Sequence, residues 1–102
     1  MTYQLFYADR SAAQGVRMIL EELNQDYELI ETDIKSQGPR PPKLLAVNPN
    51  GLVPVLIYEE GPIYECGAIV TFLCARHSEY GLAPGVGDRY RGRLLQGLFF
   101  FS

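Results

Sequence analysis

The sequence contains two thiols, those of Cys66 and Cys74, which could act as nucleophiles or form a disulfide. They lie eight residues apart in one predicted helix, which places them about 12 Å apart along its axis. A disulfide needs Cα atoms within about 7 Å of each other. The two thiols are therefore not expected to pair, and together with the lack of a signal peptide this fits a reducing, cytoplasmic compartment.

The second candidate is a backbone feature in residues 48–56, NPNGLVPVL, where a turn runs into an apolar run that contains Pro54. Proline has no amide hydrogen to donate to a sheet. A cis Val53–Pro54 bond, which is cheap only before proline, would turn the backbone groups of Val53 outward into a cleft. An extended peptide could pair with them there, as an added strand would. A trans proline at a sheet edge or at the first position of a strand is the alternative, and the pattern alone leaves both open.

The elements that must position these groups follow from the spacing of apolar residues. The predicted strands span 2–8, 27–34, 52–58 and 62–64. The predicted helices span 11–24, 43–47, 65–77 and 89–102. Ser11 followed by Gln14 has the spacing of a capping box, which marks the start of the first helix. One face of that helix carries its apolar residues, Ala12, Val16, Ile19, Leu20 and Leu23.

The order of these elements predicts an α/β fold. The first strand, helix and strand form a right-handed parallel crossover, and the last two strands form a hairpin. A four-stranded mixed sheet with helices on both faces follows. Residues 81–87, GLAPGVG, are a predicted linker, and the last helix ends on three aromatic residues that a self-contained domain seldom exposes: Phe99, Phe100 and Phe101. We expect either that more sequence follows or that this helix docks on a partner.

Composition narrows the class of protein. The chain has 102 residues, enough for one small domain, and a net charge of −3 with scattered basic residues, which argues against a nucleic-acid partner. The short basic cluster 89–93 is interpreted as a solvated helix start in preference to a phosphate site. No apolar run is long enough to span a membrane, and no metal site is predicted.

The motifs together resemble a known family. NPNGLVPVL, followed eight residues on by YECGAIVTFL, is similar to the N-terminal domain of the cytosolic glutathione transferases, whose pattern is Asn-Pro-x-Gly-x-Val-Pro and then Glu/Gln-Ser-x-Ala-Ile. The resemblance covers the whole chain and implies a thioredoxin-like fold. It implies a glutathione-binding domain at 1–80, a linker at 81–87, and at 88–102 the start of an all-helical domain that is then cut off.

The resemblance also implies roles for four residues. Val53 and Pro54 match the family, so the bond between them is expected to be cis and the Val53 backbone to pair with the cysteinyl unit of glutathione. Glu65 matches as the acceptor for the γ-glutamyl ammonium. Cys66 stands where the family has serine, so a weak thiol donor replaces a hydroxyl donor to the γ-glutamyl carboxylate. The helix that Glu65 and Cys66 open favours that carboxylate through its free amides and dipole.

Two parts of the implied site are less well matched. The family often has Lys or His before Val-Pro to hold the glycine carboxylate, and here Gly51 and Leu52 stand there. Arg40 or Lys43 is the expected substitute.

The residue that activates the thiol is a Tyr, Ser or Cys near the end of the first strand or the start of the first helix. The stretch FYADRSAA has no Cys, which leaves Tyr7 and Ser11 as catalytic candidates. Ser11 is placed to stabilise a thiolate at a helix N-terminus, and its alternative role is the N-cap. Tyr7 is one residue out of register with the tyrosine-type classes, and its alternative role is a core or edge tyrosine.

The function implied is that of a glutathione transferase, an enzyme of detoxification that activates the glutathione thiol for attack on a small electrophile, or that uses glutathione as a reductant. Glutathione is the co-substrate, and the full-length protein is expected to be a cytoplasmic homodimer. The alternative is a non-catalytic, transferase-like protein that binds a protein partner. A thioredoxin-type redox protein is a third interpretation, and it lacks the active-site cysteine.

Overall fold

A computed structural model describes residues 2–34, 38–85 and 87–101, with side chains up to residue 97. The strands are β1 (Tyr3–Tyr7), β2 (Tyr27–Glu31), β3 (Val55–Tyr58) and β4 (Gly61–Tyr64). The helices are α1 (Ala13–Glu22), α2 (Pro42–Val47), α3 (Cys66–Arg76) and α4 (Arg91–Phe101), with a short 3-10 helix at Ser78–Tyr80 that was not predicted. The expected exposure of Phe99, Phe100 and Phe101 lies outside the described side chains.

The four strands form one mixed sheet in the order β2-β1-β3-β4. β1 runs parallel to β2, from Tyr3 beside Tyr27 to Tyr7 beside Glu31, and the crossover between them contains α1. β3 is antiparallel to both β1 and β4. The predicted mixed sheet and thioredoxin-like fold are confirmed.

Two apolar clusters place helices on both faces of the sheet. The larger cluster packs α1 and α3 against one face, and its buried members are Tyr3, Leu5, Val16, Leu20, Leu23, Leu56, Ile69 and Leu73. The smaller cluster packs Leu44 of α2 against Phe6 and Val55 on the other face. Strands β1 and β3 lie in the middle of the sheet, which explains their nearly unbroken apolar sequences.

The predicted capping box does not form. Helix α1 begins at Ala13, and the Ser11 hydroxyl accepts a hydrogen bond from the Ala13 N–H at 3.2 Å. The Gln14 side chain, which a capping box would turn back toward the N-cap, instead accepts a hydrogen bond from the Tyr7 hydroxyl at 2.7 Å. The apolar face also differs from the prediction, since Ala13 is buried in it where Ala12 was expected, and Ala12 is exposed.

The far end of α3 is fixed by Arg76. Its guanidinium forms an ion pair with Glu59 and lies over three aromatic rings at 5.5–5.8 Å, those of Tyr3, Tyr58 and Phe72. A cation in the last turn also complements the helix dipole. Arg76 thereby joins the C-terminal end of α3 to β1 and β3.

Helix α4 packs against α3. The segment between them is held by Arg91, whose guanidinium donates a hydrogen bond to the Pro84 carbonyl at 2.9 Å. Among the helices described, none is long and apolar enough to cross a membrane.

Candidate functional site

A cleft of about 290 Å³ lies where the N-termini of α1 and α3 approach the turn before β3. It is lined by Ala12, Asn48, Leu52, Val53, Pro54, Glu65 and Cys66. Four of these were proposed as binding residues from the sequence. They meet because β1 leads into α1 and β4 leads into α3 at one end of the sheet, and the strand that starts at Val55 begins at that same end.

The backbone of Val53 is available to a ligand. The Val53–Pro54 peptide bond is cis, and Val53 itself is half-buried in the cleft wall. Among the described residues, no hydrogen bond involves its N–H or its C=O. A buried or half-buried backbone group normally has a partner, so this site has a donor and an acceptor to offer.

Glu65 stands at the N-cap of α3 in an unusual backbone conformation. Its φ of 81° and ψ of 118° lie where residues other than glycine rarely occur. Such strain costs about 1–3 kcal/mol and concentrates at functional sites. The side chain is exposed at the cleft, so a carboxylate is presented beside the free amides of the first turn.

Cys66 is the first residue of α3 and is half-buried in the cleft. Its sulfur lies 4.0 Å from the Ala12 carbonyl oxygen, across the cleft. Burial raises the pKa of the Cys66 thiol, and the adjacent Glu65 carboxylate raises it further. The thiol is therefore protonated near neutral pH and can act as a weak donor.

Ser11 lies just outside the cleft lining. Its hydroxyl donates a hydrogen bond to the Ala8 carbonyl and accepts one from the Ala13 N–H. The residue of this loop that reaches the cleft is Ala12. Within the described part of the chain, nothing accepts a hydrogen bond from the Ala12 N–H.

Tyr7 is also directed away from this cleft. Its ring is buried, its hydroxyl donates to Gln14 Oε1 at 2.7 Å, and the guanidinium of Arg17 lies 5.7 Å from the ring centre. It lines a second, larger cleft of about 390 Å³ beside Asp9, Glu31, Thr32 and Asp33, at the ends of β1 and β2. The structure therefore brings together Val53, Pro54, Glu65 and Cys66, and places Tyr7 apart from them.

The two candidates for the glycine carboxylate are separated as well. The Arg40 side chain crosses Gly51, so closely that a Cβ atom at Gly51 would lie 2.8 Å from Arg40 Cγ. Its guanidinium donates a hydrogen bond to the Ile34 carbonyl. Lys43 is exposed on α2. Arg40 is thus the one of the two that packs on the turn leading to the cleft.

Asn48 is a cleft residue that the sequence analysis did not single out. It is 3% exposed, and its side chain joins two backbone groups of the turn. The signal was present in the Asn-Pro-Asn-Gly stretch, because an asparagine that starts a turn commonly bonds the backbone two residues on. No group of acidic, histidine or cysteine side chains within the described ranges could hold a metal ion.

The sheet order, the helices on both faces and the cleft beside the α1 and α3 N-termini define a thioredoxin-like domain. The family of glutathione S-transferase N-terminal domains matches residues 5–81. The chain belongs to the glutathione S-transferase family.

Two curated relatives illustrate the range of similar proteins. Protein URE2 of Debaryomyces hansenii is 39% identical over 80 residues, which are 74% of this chain and 26% of that protein. The maleylacetoacetate isomerase of Rhizobium meliloti is 34% identical over 90 residues, which are 87% of this chain and 42% of that protein. The chain therefore spans less than half the length of either relative.

Two solved structures are similar over nearly the whole chain. A glutathione transferase from Methylococcus capsulatus matches with a TM-score of 0.85 and 31% identity, over 97% of this chain and 50% of that one. A sphingomonad glutathione S-transferase complexed with glutathione matches with a TM-score of 0.82 and 30% identity, over 95% of this chain and 49% of that one.

Proposed function

We propose that the cleft binds glutathione and activates its thiol for attack on a small electrophile. The observation that carries this proposal is that three features meet in one cleft: a Val53 backbone with no hydrogen-bond partner among the described residues, the Glu65 carboxylate and two helix N-termini. The similarity to a transferase solved with glutathione supports it.

The polar groups of the cleft match the peptide backbone and the charges of glutathione. The N–H and C=O of Val53 pair with the cysteinyl unit as an added strand would. The Glu65 carboxylate accepts from the γ-glutamyl ammonium, and the first amides of α3 receive the γ-glutamyl carboxylate. Because the Cys66 thiol is protonated, it places no negative charge beside that carboxylate.

In this proposal Arg40 binds the glycine carboxylate of glutathione. Its stem already lies across Gly51, next to the cleft residue Leu52. A guanidinium recognises a carboxylate through two parallel hydrogen bonds, which a lysine cannot reproduce. The hydrogen bond from Arg40 to the Ile34 carbonyl holds the Arg40 side chain across the turn.

Activation means stabilising the glutathione thiolate. The N-terminus of α1 reaches the cleft at Ala12, whose N–H has no acceptor among the residues described. This amide and the helix dipole lower the pKa of a thiol placed there. The thiol loses its proton to solvent, the thiolate forms a bond to the electrophilic carbon, and the leaving group departs with its electron pair.

The second candidate function is non-catalytic binding of a protein partner. It is favoured by one observation, that the hydroxyls of Ser11 and Tyr7 are both committed to local hydrogen bonds outside the cleft. The electrophile, the homodimer and the cytoplasmic location belong to the whole protein and are proposals, since the chain spans only about half of the solved transferases.

Replacing Glu65 tests the binding site directly. We expect Glu65→Gln to weaken glutathione binding by about 1.5–3 kcal/mol, the value of a hydrogen bond to a charged group. Isothermal titration calorimetry measures the change, and circular dichroism checks that the fold is intact. Glu60→Gln, in the exposed turn after β3, is the matched control. An unchanged dissociation constant for Glu65→Gln would remove Glu65 from the site.

Turnover separates the two functions. In the full-length protein, binding of glutathione together with its conjugation to a chlorodinitrobenzene supports the transferase. Binding without conjugation favours the non-catalytic alternative, and no retention on immobilised glutathione contradicts the proposed site altogether.

A further inference from the structure

Asn48 is the one polar residue that is fully buried among the residues described. Its Nδ2 donates a hydrogen bond to the Leu52 carbonyl at 3.0 Å, and its Oδ1 accepts one from the Asn50 N–H at 3.0 Å. These partners fix the orientation of the amide, because only its NH₂ can meet a carbonyl and only its oxygen can meet an N–H. The Asn48 backbone adds a third restraint, since its carbonyl accepts from the Gly51 N–H at 2.9 Å.

The hydrogen bond from Asn48 to the Leu52 carbonyl also fixes the orientation of the Val53 N–H. The carbonyl of Leu52 and the N–H of Val53 belong to one planar trans peptide unit, in which the two groups point in opposite directions. A bond that holds the oxygen toward Asn48 therefore holds the Val53 N–H away from it. This N–H is the donor that has no partner among the described residues.

We propose that Asn48 is a positioning residue, which fixes the Leu52–Val53 peptide plane so that the Val53 N–H is aimed at the cysteinyl carbonyl of bound glutathione. The inference rests on the proposed function, because it names what holds that donor. A short buried amide suits the task, since it satisfies two backbone groups and has few rotatable bonds. The ligand then meets a donor that is already oriented, so less conformational entropy is lost on binding.

Asn48→Asp tests the inference because it removes only half of the network. A carboxylate still accepts from the Asn50 N–H, but it repels the Leu52 carbonyl and leaves the peptide plane unheld. We expect the dissociation constant for glutathione to rise about threefold to tenfold, the effect of one misplaced hydrogen bond. Asn50→Asp is the matched control, because it adds the same charge to the same turn, while Asn50 joins this network through its backbone N–H and not through its exposed side chain. The affinity of this variant should stay native.

The affinities are compared well below the unfolding midpoint of each variant, so that a loss of stability alone does not change them. A folded Asn48→Asp chain that binds like the native chain overturns the positioning role. If the native chain does not bind glutathione, the proposed function fails and this inference falls with it, which is a different result.

Hydrogen exchange on the native chain keeps the inference testable even if Asn48→Asp does not fold. The Asn48 side-chain amide should be protected both with and without glutathione, because its partners are internal. The Val53 amide should be protected only when glutathione is bound. Protection of Val53 in the free chain, or rapid exchange of the Asn48 side chain, overturns the proposal.

Discussion

Cys66 is a thiol whose surroundings favour the protonated form. Burial and the Glu65 carboxylate both raise its pKa. Since the thiolate is the reactive species, we expect alkylation by iodoacetamide to be slower at neutral pH than for an exposed cysteine. A raised pKa means that the thiol persists to higher pH, so the rate should climb through a midpoint above the ordinary one. Glu65→Gln should lower that midpoint, and an unshifted midpoint would contradict the electrostatic coupling.

Cys74 provides the internal comparison for that experiment. It is buried, with 7% of its surface exposed, and burial also raises its pKa, so Cys66 should be labelled first. A glutathione analogue without a thiol should slow the labelling of Cys66, because it would cover the cleft. Peptide mapping of the alkylated chain assigns each rate, and faster labelling of Cys74 would contradict this order.

Ser11 stabilises the start of α1, and this structural role must be separated experimentally from a role in catalysis. Its hydroxyl bridges the Ala8 carbonyl and the Ala13 N–H at the start of α1. We expect Ser11→Ala to lower the free energy of unfolding by about 1 kcal/mol, as for a lost cap. Denaturant titration measures this beside the conjugation rate. A variant that keeps its stability and loses its turnover would make Ser11 the thiol activator after all.

Between elements, the turn before β3 depends on how Arg40 and Gly51 fit together. Gly51 has a φ of 67°, and Arg40 occupies the space above it. We expect Gly51→Ala to lower the free energy of unfolding by about 1–3 kcal/mol through backbone strain alone, and by more through the clash with Arg40. The penalty should be smaller in an Arg40→Ala background, where the clash is gone. Gly38→Ala, which meets open space, is the control, and equal penalties in both backgrounds would refute the clash.

The elements themselves could be predicted because their apolar periodicities are local. Every strand and helix predicted from the pattern is present in the structure. Their ends could not be predicted as well, because partners far along the chain set them. The alternation in 27–34 continues past Glu31, but β2 stops there because β1 ends at Tyr7, its partner in the register.

The candidate site was predictable only as far as motifs reach. The two motifs brought Val53, Pro54, Glu65 and Cys66 to one place, and the structure has them lining one cleft. The direction of a side chain within a loop is set by contacts that no motif encodes. Tyr7 illustrates this, since its hydroxyl donates a hydrogen bond to the side chain of Gln14 in the next helix.

For the molecule as a whole, α4 is joined to the sheet domain through α3. It packs on α3, and Arg91 links it to the segment before it through the Pro84 carbonyl. We expect Arg91→Ala to reduce hydrogen-exchange protection in α4 while β1 and β3 keep theirs, because local openings can occur below the global unfolding free energy. Arg93→Ala, an exposed arginine of the same helix, should change little. Equal losses in α4 and the sheet would show one cooperative unit instead.

At Glu65, the stability of the fold and the recognition of the ligand favour different residues. Glycine would adopt a φ of 81° with far less strain, so the whole domain would gain stability from Glu65→Gly. The carboxylate would be lost with it, and so would the partner proposed for the γ-glutamyl ammonium. This position therefore sets stability against affinity, because the residue that would stabilise the fold would weaken ligand binding. Selection for thermal endurance alone would be expected to erase the acid that selection for ligand recognition preserves.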